Sequence, residues 1–530
     1  MRTWLGRGRS LQAGITTCCL VAFVLFGYDQ GVFSGILQNA DWLDRFHYPS
    51  DTKTGIIVSC YNLGCLTGCI VNFCIGERLG RRRTIWLAMG VVILGATLQA
   101  SAYSVAHLVL GRVVTGVGTG IKTSTVPPYQ AELCDRQSRG RLVSAEVLFV
   151  GVGIVLAYWF DFGMSFVGGG GVGWRLPLAF QVVFALGIVA LVFALPESPR
   201  WLFNHGREDE AVAVLCAVHD RAPDDDYIES ERRAILDAIA LERRAAAAAD
   251  DDDESSSGLA AAAFAGVFRR DEVRTGHRVL LAWGMQFMNQ VGGINLVVYY
   301  IPSVLVQNVG MDPQLAQILG GCINMMFMIG SLLPTFALDR MGRRKTMMWG
   351  SLGLGLSMLM IAALLSQASP GNTSPRAHAF ASASVAFFFT YMLVFGGSVN
   401  CVPWVYVAEI LPLAARTRGA AIGVSSNWLW NFAIVMITPI IINRLQWKAY
   451  LIFTATNLLF VPTVYFFYPE TSNIQLEDID HVFSQGGNPV AVARKLQRDM
   501  RRRERDAGPS EVGQVEKSRA GVEMHEDLSR

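Results

Sequence analysis

Charge is what this chain has little of: Asp, Glu, Lys and Arg make up 17% of its 530 residues, against about 25% in soluble domains. The net charge is only +2, and the charges stand in blocks between long apolar runs rather than along one face. That excludes an electrostatic footprint for nucleic acid. No Gly-Lys-Ser/Thr follows the glycines of "GVGTG" or "GGGGVG", so no phosphate-cradling loop is present. The eight His show neither HExxH nor a paired metal spacing. No enzyme activity, cofactor or metal is expected. The ten Cys make no disulfide framework, because Cys60, Cys65, Cys69 and Cys74 share one apolar stretch and Cys18, Cys19, Cys322 and Cys401 lie in others. They read as small packing residues.

What the chain has in quantity is apolar length. Runs near 14–37, 54–75, 84–103, 105–128, 142–162, 177–195, 278–306, 315–338, 346–366, 380–407, 419–442 and 449–468 each approach or exceed the ~20 residues that a helix needs to cross a bilayer. An all-α integral membrane protein with twelve spans is expected. Arg2, Arg7 and Arg9 precede the first run as they would in a signal peptide, but that run holds a mid-span Asp and leads into a second span, so it is expected to be retained. With the N-terminus in the cytoplasm, the inner loops and that end carry about sixteen Lys and Arg and the outer loops about six. Both termini are then cytoplasmic, and the acceptor sequon at Asn372 falls in the outer loop between spans 9 and 10.

The chain repeats itself. "GERLGRRRT" at Gly76 recurs as "LDRMGRRKT" at Leu338, "YQAELCDRQSR" at Tyr129 as "YVAEILPLAAR" at Tyr406, and "PES" at Pro196 as "PET" at Pro469. Each follows the second, fourth or sixth span of its half, which makes residues 1–200 and 277–470 two homologous six-helix bundles, an architecture of transporters. Between them lies a cytoplasmic linker, 201–276. There "NHGREDEAVAVL" and "IESERRAILDAIALERR" read as short helices, and "AAAAADDDDESSSG" reads as disorder near 245–258. The tail, 471–530, reads as mostly disordered, with its basic run "RKLQRDMRRRER" a solvated face.

Two sets of polar residues stand inside the spans. Asp29, in "FGYDQGVFSG", places a carboxylate in hydrocarbon, where it costs at least ~2.5 kcal/mol if ionised. Beside a movable cation such a group can bind and release a proton. Gln286, Asn289, Gln290 and Asn295 recur at helical spacing in span 7, and Asn324 adds an amide from span 8. Dispersed amides suit the hydroxyls of a small polar ligand, and they equally suit bonds between helices.

The motifs "FGYDQGVFSG", "GERLGRRR", "GRVVTGVGTG" with "PPYQAELCDRQSRGR", "PESPRWL", "QFMNQVGGINLVVYY", "DRMGRRK", "PWVYVAE", "SSNWLWNF" and "YPETSN" together resemble the sugar porter family of the major facilitator superfamily. The style is closest to fungal monosaccharide or polyol proton symporters. The resemblance implies two bundles rocking about a central site, with a monosaccharide (a hexose first, a polyol second) and protons as partners. It also implies a plasma-membrane location and a monomer as the working unit. An uncoupled facilitator is the near alternative, and a nutrient sensor a distant one. The resemblance pairs Asp29 with Arg112 of span 4, whose own charge cannot be given up. It makes Gln286, Gln290, Asn295 and Asn324 sugar contacts, adds Asn427, and makes Trp404 the aromatic facing the ring.

Three departures bear on substrate. Val147, with Glu146 beside it, stands where the family usually has a sugar-contacting Gln. Asn289 replaces the first Gln of the usual span 7 pair, and "GGSVNC" replaces the Gly- and Pro-rich approach to Pro403, which puts the flexibility of span 10 in question. Glucose specificity does not follow from the motifs. At the cytoplasmic face, Glu77, Arg78, Arg81 and Arg82, with Asp339, Arg340, Arg343 and Arg344, are expected to form charge networks among Glu132, Arg139, Glu409 and Arg416. Exposed pairs are worth about 0 to 1 kcal/mol each, so such a latch works by being made in one state and broken in the other.

Overall fold

Helix starts fall where the sequence supplies caps. Ser104 Oγ accepts from His107 N, Ser374 Oγ from Ala377 N, and the Asp312 carboxylate from the amides of Gln314 and Leu315, each satisfying a donor that the first helical turn leaves open. A computed structural model describes residues 6–134, 139–167, 169–250, 273–368, 374–412, 416–472, 474, 476–484 and 487–506.

The twelve spans are all present. Spans 1 to 6 are Arg9–Ile36, Asp51–Leu79, Arg81–Ala100, Val105–Leu133, Arg139–Met164 and Val172–Ala194. Span 7 is broken into Thr275–Val291 and Ile294–Val304, and spans 8 and 9 are Pro313–Met341 and Arg343–Gln367. Span 10 is broken into Pro375–Gly397 and Val402–Ile410, and spans 11 and 12 are Arg416–Leu445 and Lys448–Phe467. Among the described residues ten helices are long and apolar enough to cross a membrane. The two spans outside that set are span 4, which carries Arg112 and Lys122, and the broken span 7. Large apolar side chains such as Phe336, Trp349, Leu459 and Phe466 point outward along the bundle, as a multi-pass membrane protein requires.

Packing repeats along with the sequence. Span 1 packs on 5, 2 and 6 lie against 4 and 3, and 3 packs on 4; in the second half 7 packs on 11, 8 and 12 lie against 10 and 9, and 9 packs on 10. The halves meet through the pairs 2 with 11 and 5 with 8. Spans 1 and 5 touch backbone to backbone. A Cβ on Gly27 would stand 1.9 Å from the Val150 carbonyl oxygen, and one on Gly153 would stand 2.0 Å from that of Val24.

Helices Pro199–Asn204, Glu208–His219 and the longer Asp226–Asp250 form the linker. The N-terminus is tied to them, since Gly8 N donates to Ala217 O and Gln12 Nε2 to Val218 O. The last linker helix runs on through Ala245 to Asp250, where disorder was expected, and residues 251–258 lie outside the described residues. The tail also departs from expectation. It carries two helices, Leu476–Ser484 and Pro489–Asp506, because Ile479, Val482, Phe483, Val490 and Ala493 supply a buried apolar face. Residues 507–530 and the sequon at Asn372 lie outside the described residues.

Candidate transport site

The break in span 7 organises the site. Gly293 adopts φ 103°, which a side chain would resist, and the carbonyl of Gly292 is met by the Tyr391 hydroxyl at 3.0 Å and Asn457 Nδ2 at 2.8 Å. On either side stand the amides read from the sequence. Asn295 Nδ2 donates to Gln290 Oε1 at 2.8 Å, Gln290 Nε2 donates to Asn289 Oδ1 at 2.8 Å, and Asn289 Nδ2 donates to Val399 O at 2.9 Å. Val399 lies in the break of span 10, so one chain of amides ties the two broken helices together. Asn427 Nδ2 donates to Gln286 Oε1 at 2.8 Å, bringing span 11 to the same helix.

These groups are buried, and part of their capacity is unused. Gln286 Nε2 and Asn324 Oδ1 have no hydrogen-bond partner. Asn324 Nδ2 donates to Gly320 O of its own helix, and among the described residues no hydrogen bond joins Asn324 or Trp404 to the amide chain. Trp404 is half-buried against the core. Val147 and Glu146 are both buried, with Glu146 Oε1 unpartnered. Buried amides with open donors and acceptors can take hydroxyl groups of a small polar ligand.

Asp29 is fully buried. Its Oδ2 accepts from the Tyr61 hydroxyl at 3.3 Å and from Thr119 Oγ1 at 3.2 Å, while Oδ1 has no partner. Arg112 is not in ion-pair contact with it. The guanidinium donates to the carbonyls of Ile57 at 3.4 Å and Val58 at 2.8 Å, and it lies 4.3 Å from the Phe33 ring and 4.6 Å from the Tyr61 ring. Tyr61 therefore bridges the two, with its ring toward Arg112 and its hydroxyl on Asp29. Three participants were not singled out in the sequence: Tyr61, Thr119 and Lys122. Lys122 is 1% exposed, and its Nζ has no hydrogen-bond partner. The available signal was a lysine inside an apolar stretch.

On the side that carries the linker, the two halves build the same device twice. Glu197 accepts the backbone N–H groups of Arg81 at 2.9 Å and Arg82 at 3.2 Å; Glu470 accepts those of Arg343 at 2.8 Å and Arg344 at 3.1 Å. Burial pushes the Glu197 carboxyl above the usual range while those amides pull it back. Arg81 forks onto Glu132 at 3.4 and 3.3 Å, and Arg343 onto Glu409 at 3.1 and 2.6 Å. Arg82 donates to the carbonyls of Val192 and Phe193, and Arg344 to those of Val464 and Tyr465. Glu77 joins Arg81 at 2.9 Å, whereas Arg78 and Arg340 are exposed. The side chains of Arg139, Asp339 and Arg416 lie outside the described residues. Among the described residues each of these end networks stays within its own half. Glu197 and Glu470, seen in the sequence only as repeat markers, prove to be the anchors.

Two six-helix bundles around a buried polar site define a major facilitator transporter, not an enzyme. The chain belongs to the sugar porter family: residues 15–483 match the family described as "Sugar (and other) transporter". It is 39% identical over 491 residues to the MFS-type transporter oryC of Aspergillus oryzae, covering 92% of this chain and 88% of that protein. It is 32% identical over 513 residues to the sugar transporter STL1 of Saccharomyces cerevisiae, covering 93% and 85%. A solved structure described as the proton:xylose symporter XylE bound to 6-bromo-6-deoxy-D-glucose shares the fold, with a TM-score of 0.72 at 22% identity over 89% of this chain and 99% of that one.

Proposed function

We propose that this protein carries a monosaccharide, a hexose first, across the plasma membrane together with a proton, by alternating access. The observation that carries the reading is Asp29: a carboxylate sealed in a membrane span, with one oxygen held by two hydroxyls and the other open. An intramembrane acid in such a setting marks a proton relay. The linker side is taken as cytoplasmic, following the basic loops. Gln286, Asn289, Gln290, Asn295, Asn324, Asn427 and Trp404 form the sugar site, and the relatives named as a sugar transporter and as low-affinity glucose transporters support that class. In this conformation the far ends are joined, with Gln38 Nε2 donating to Ser303 Oγ at 2.7 Å. A cavity of about 420 Å³ opens on the linker side among Gln12, Thr16, Gln130 and Leu142.

Uptake of radiolabelled glucose at mildly acidic external pH, with and without a protonophore, in cells lacking their own hexose carriers, tests the reading. Accumulation above equilibrium that the protonophore abolishes is the expected result. Equilibration alone would reduce the protein to a facilitator, and no uptake would redirect the substrate to polyols, with Val147 as the position to examine.

A further inference from the structure

We propose that Lys122 is a second coupling residue: its ammonium is the cation that neutralises Asp29 once the coupled proton has left, which lets the empty carrier return. The inference rests on the proton-coupled reading above. It starts from the face of span 4. Arg112, Thr119 and Lys122 stand seven and then three residues apart, so they share one side of the helix, and the middle member already donates to Asp29 at 3.2 Å. Lys122 therefore projects toward the same carboxylate from one turn further along. Nζ and Asp29 Oδ1 are both buried without a hydrogen-bond partner.

The other charged candidate is largely engaged. Two backbone carbonyls and two ring faces hold Arg112, with Nη1 left unpartnered, and Tyr61 stands between it and the acid. The titratable and charged groups around Asp29 are Tyr28 of its own span, Tyr61 and Cys65 of span 2, Arg112 and Lys122 of span 4, and Tyr299 of span 7. Asp29 is the one carboxylate in that set. A lysine also has the reach for the task. Its flexible stem lets the ammonium swing, whereas the guanidinium of Arg112 is fixed in a fork. In the loaded carrier Asp29 holds the proton and Lys122 stands away from it. When the proton departs to the cytoplasm the carboxylate is left ionised in hydrocarbon, and approach of the ammonium neutralises it.

Net flux requires return of the empty carrier, and exchange does not. In proteoliposomes with labelled D-glucose, Lys122→Met is expected to raise the ratio of equilibrium exchange to net zero-trans uptake at least ten-fold, and Lys122→Arg to restore most of it. A second measurement needs no transport. The thermal midpoint of the purified carrier should fall in Lys122→Met and recover when Asp29→Asn is added. A Lys122→Met protein with a wild-type flux ratio, or midpoint shifts for the two substitutions that simply add, would overturn the assignment. Failure of the proton-coupled reading shows separately, as wild-type accumulation that is absent or insensitive to a protonophore.

Discussion

Asp29 and Gln290 show how little freedom single side chains have at the centre of this protein. Asp29→Asn keeps the shape and removes the charge, so accumulation in intact cells should fall to equilibrium while exchange persists; continued uphill uptake would detach Asp29 from coupling. Gln290 both gives and takes a hydrogen bond in the amide chain, and each such bond is worth about 0.5–1.5 kcal/mol of stability. Gln290→Ala should therefore destabilise the purified carrier by about 1–3 kcal/mol, read as a lower melting temperature. Gln286→Ala, which removes the open donor Nε2 that the proposed site offers to a sugar hydroxyl, should raise KM about three- to ten-fold, read from the concentration dependence of uptake. The amides of span 7 were legible in the sequence because a period of 3.6 places them without knowledge of any other helix. The separation of Asp29 from Arg112 was not legible, since it depends on where span 2 puts the Tyr61 ring. Lys122 went unmarked although a lysine inside an apolar stretch was there to be read; that it stands on the face of span 4 that carries Arg112 and Thr119 follows from the helical period.

At the scale of the helix, the two breaks carry the site. Gly293 tolerates its backbone angle only without a side chain, and a Cβ there would lie 2.9 Å from the Phe453 ring. Gly293→Ala should cost about 1–3 kcal/mol and lower the melting temperature of the purified carrier. Asn457→Leu should also lower it by removing a donor from the Gly292 carbonyl. The sequence questioned the flexibility of span 10 because "GGSVNC" replaces the usual Gly- and Pro-rich approach to Pro403. The helix is interrupted there all the same, at residues 398–401. Asn400 N turns back to Phe395 O, and Asn289 fills the Val399 carbonyl, so capping partners from elsewhere do what local composition does not announce. Helix periods and span lengths are local properties and could be read. Caps supplied by a distant helix could not.

At the scale of the whole molecule, the twofold repeat sets what each half does at the linker side. Glu197→Gln and Glu470→Gln should weaken the carrier by similar amounts, since each carboxylate holds two backbone amides of a basic turn. Hydrogen bonds to charged groups are worth about 1.5–3 kcal/mol, and thermal unfolding of the two variants would show whether the halves are equal. The halves were legible because their motifs recur in order after the same spans. The tail helices were not, because a short amphipathic face reads as solvated until the surface that receives it is known. The anchoring devices also bear on how the chain is put together. Each bundle carries its own anchor, its own forked arginine pair and its own carbonyl clasps, the second linker helix belongs with the N-terminus, and Arg274 donates to Gly487 of the tail. Among the described residues, each of these contacts joins partners on the same side of the stretch 251–272. The gene could then be cut in that stretch and its two products made separately, to meet again in the membrane as a working carrier.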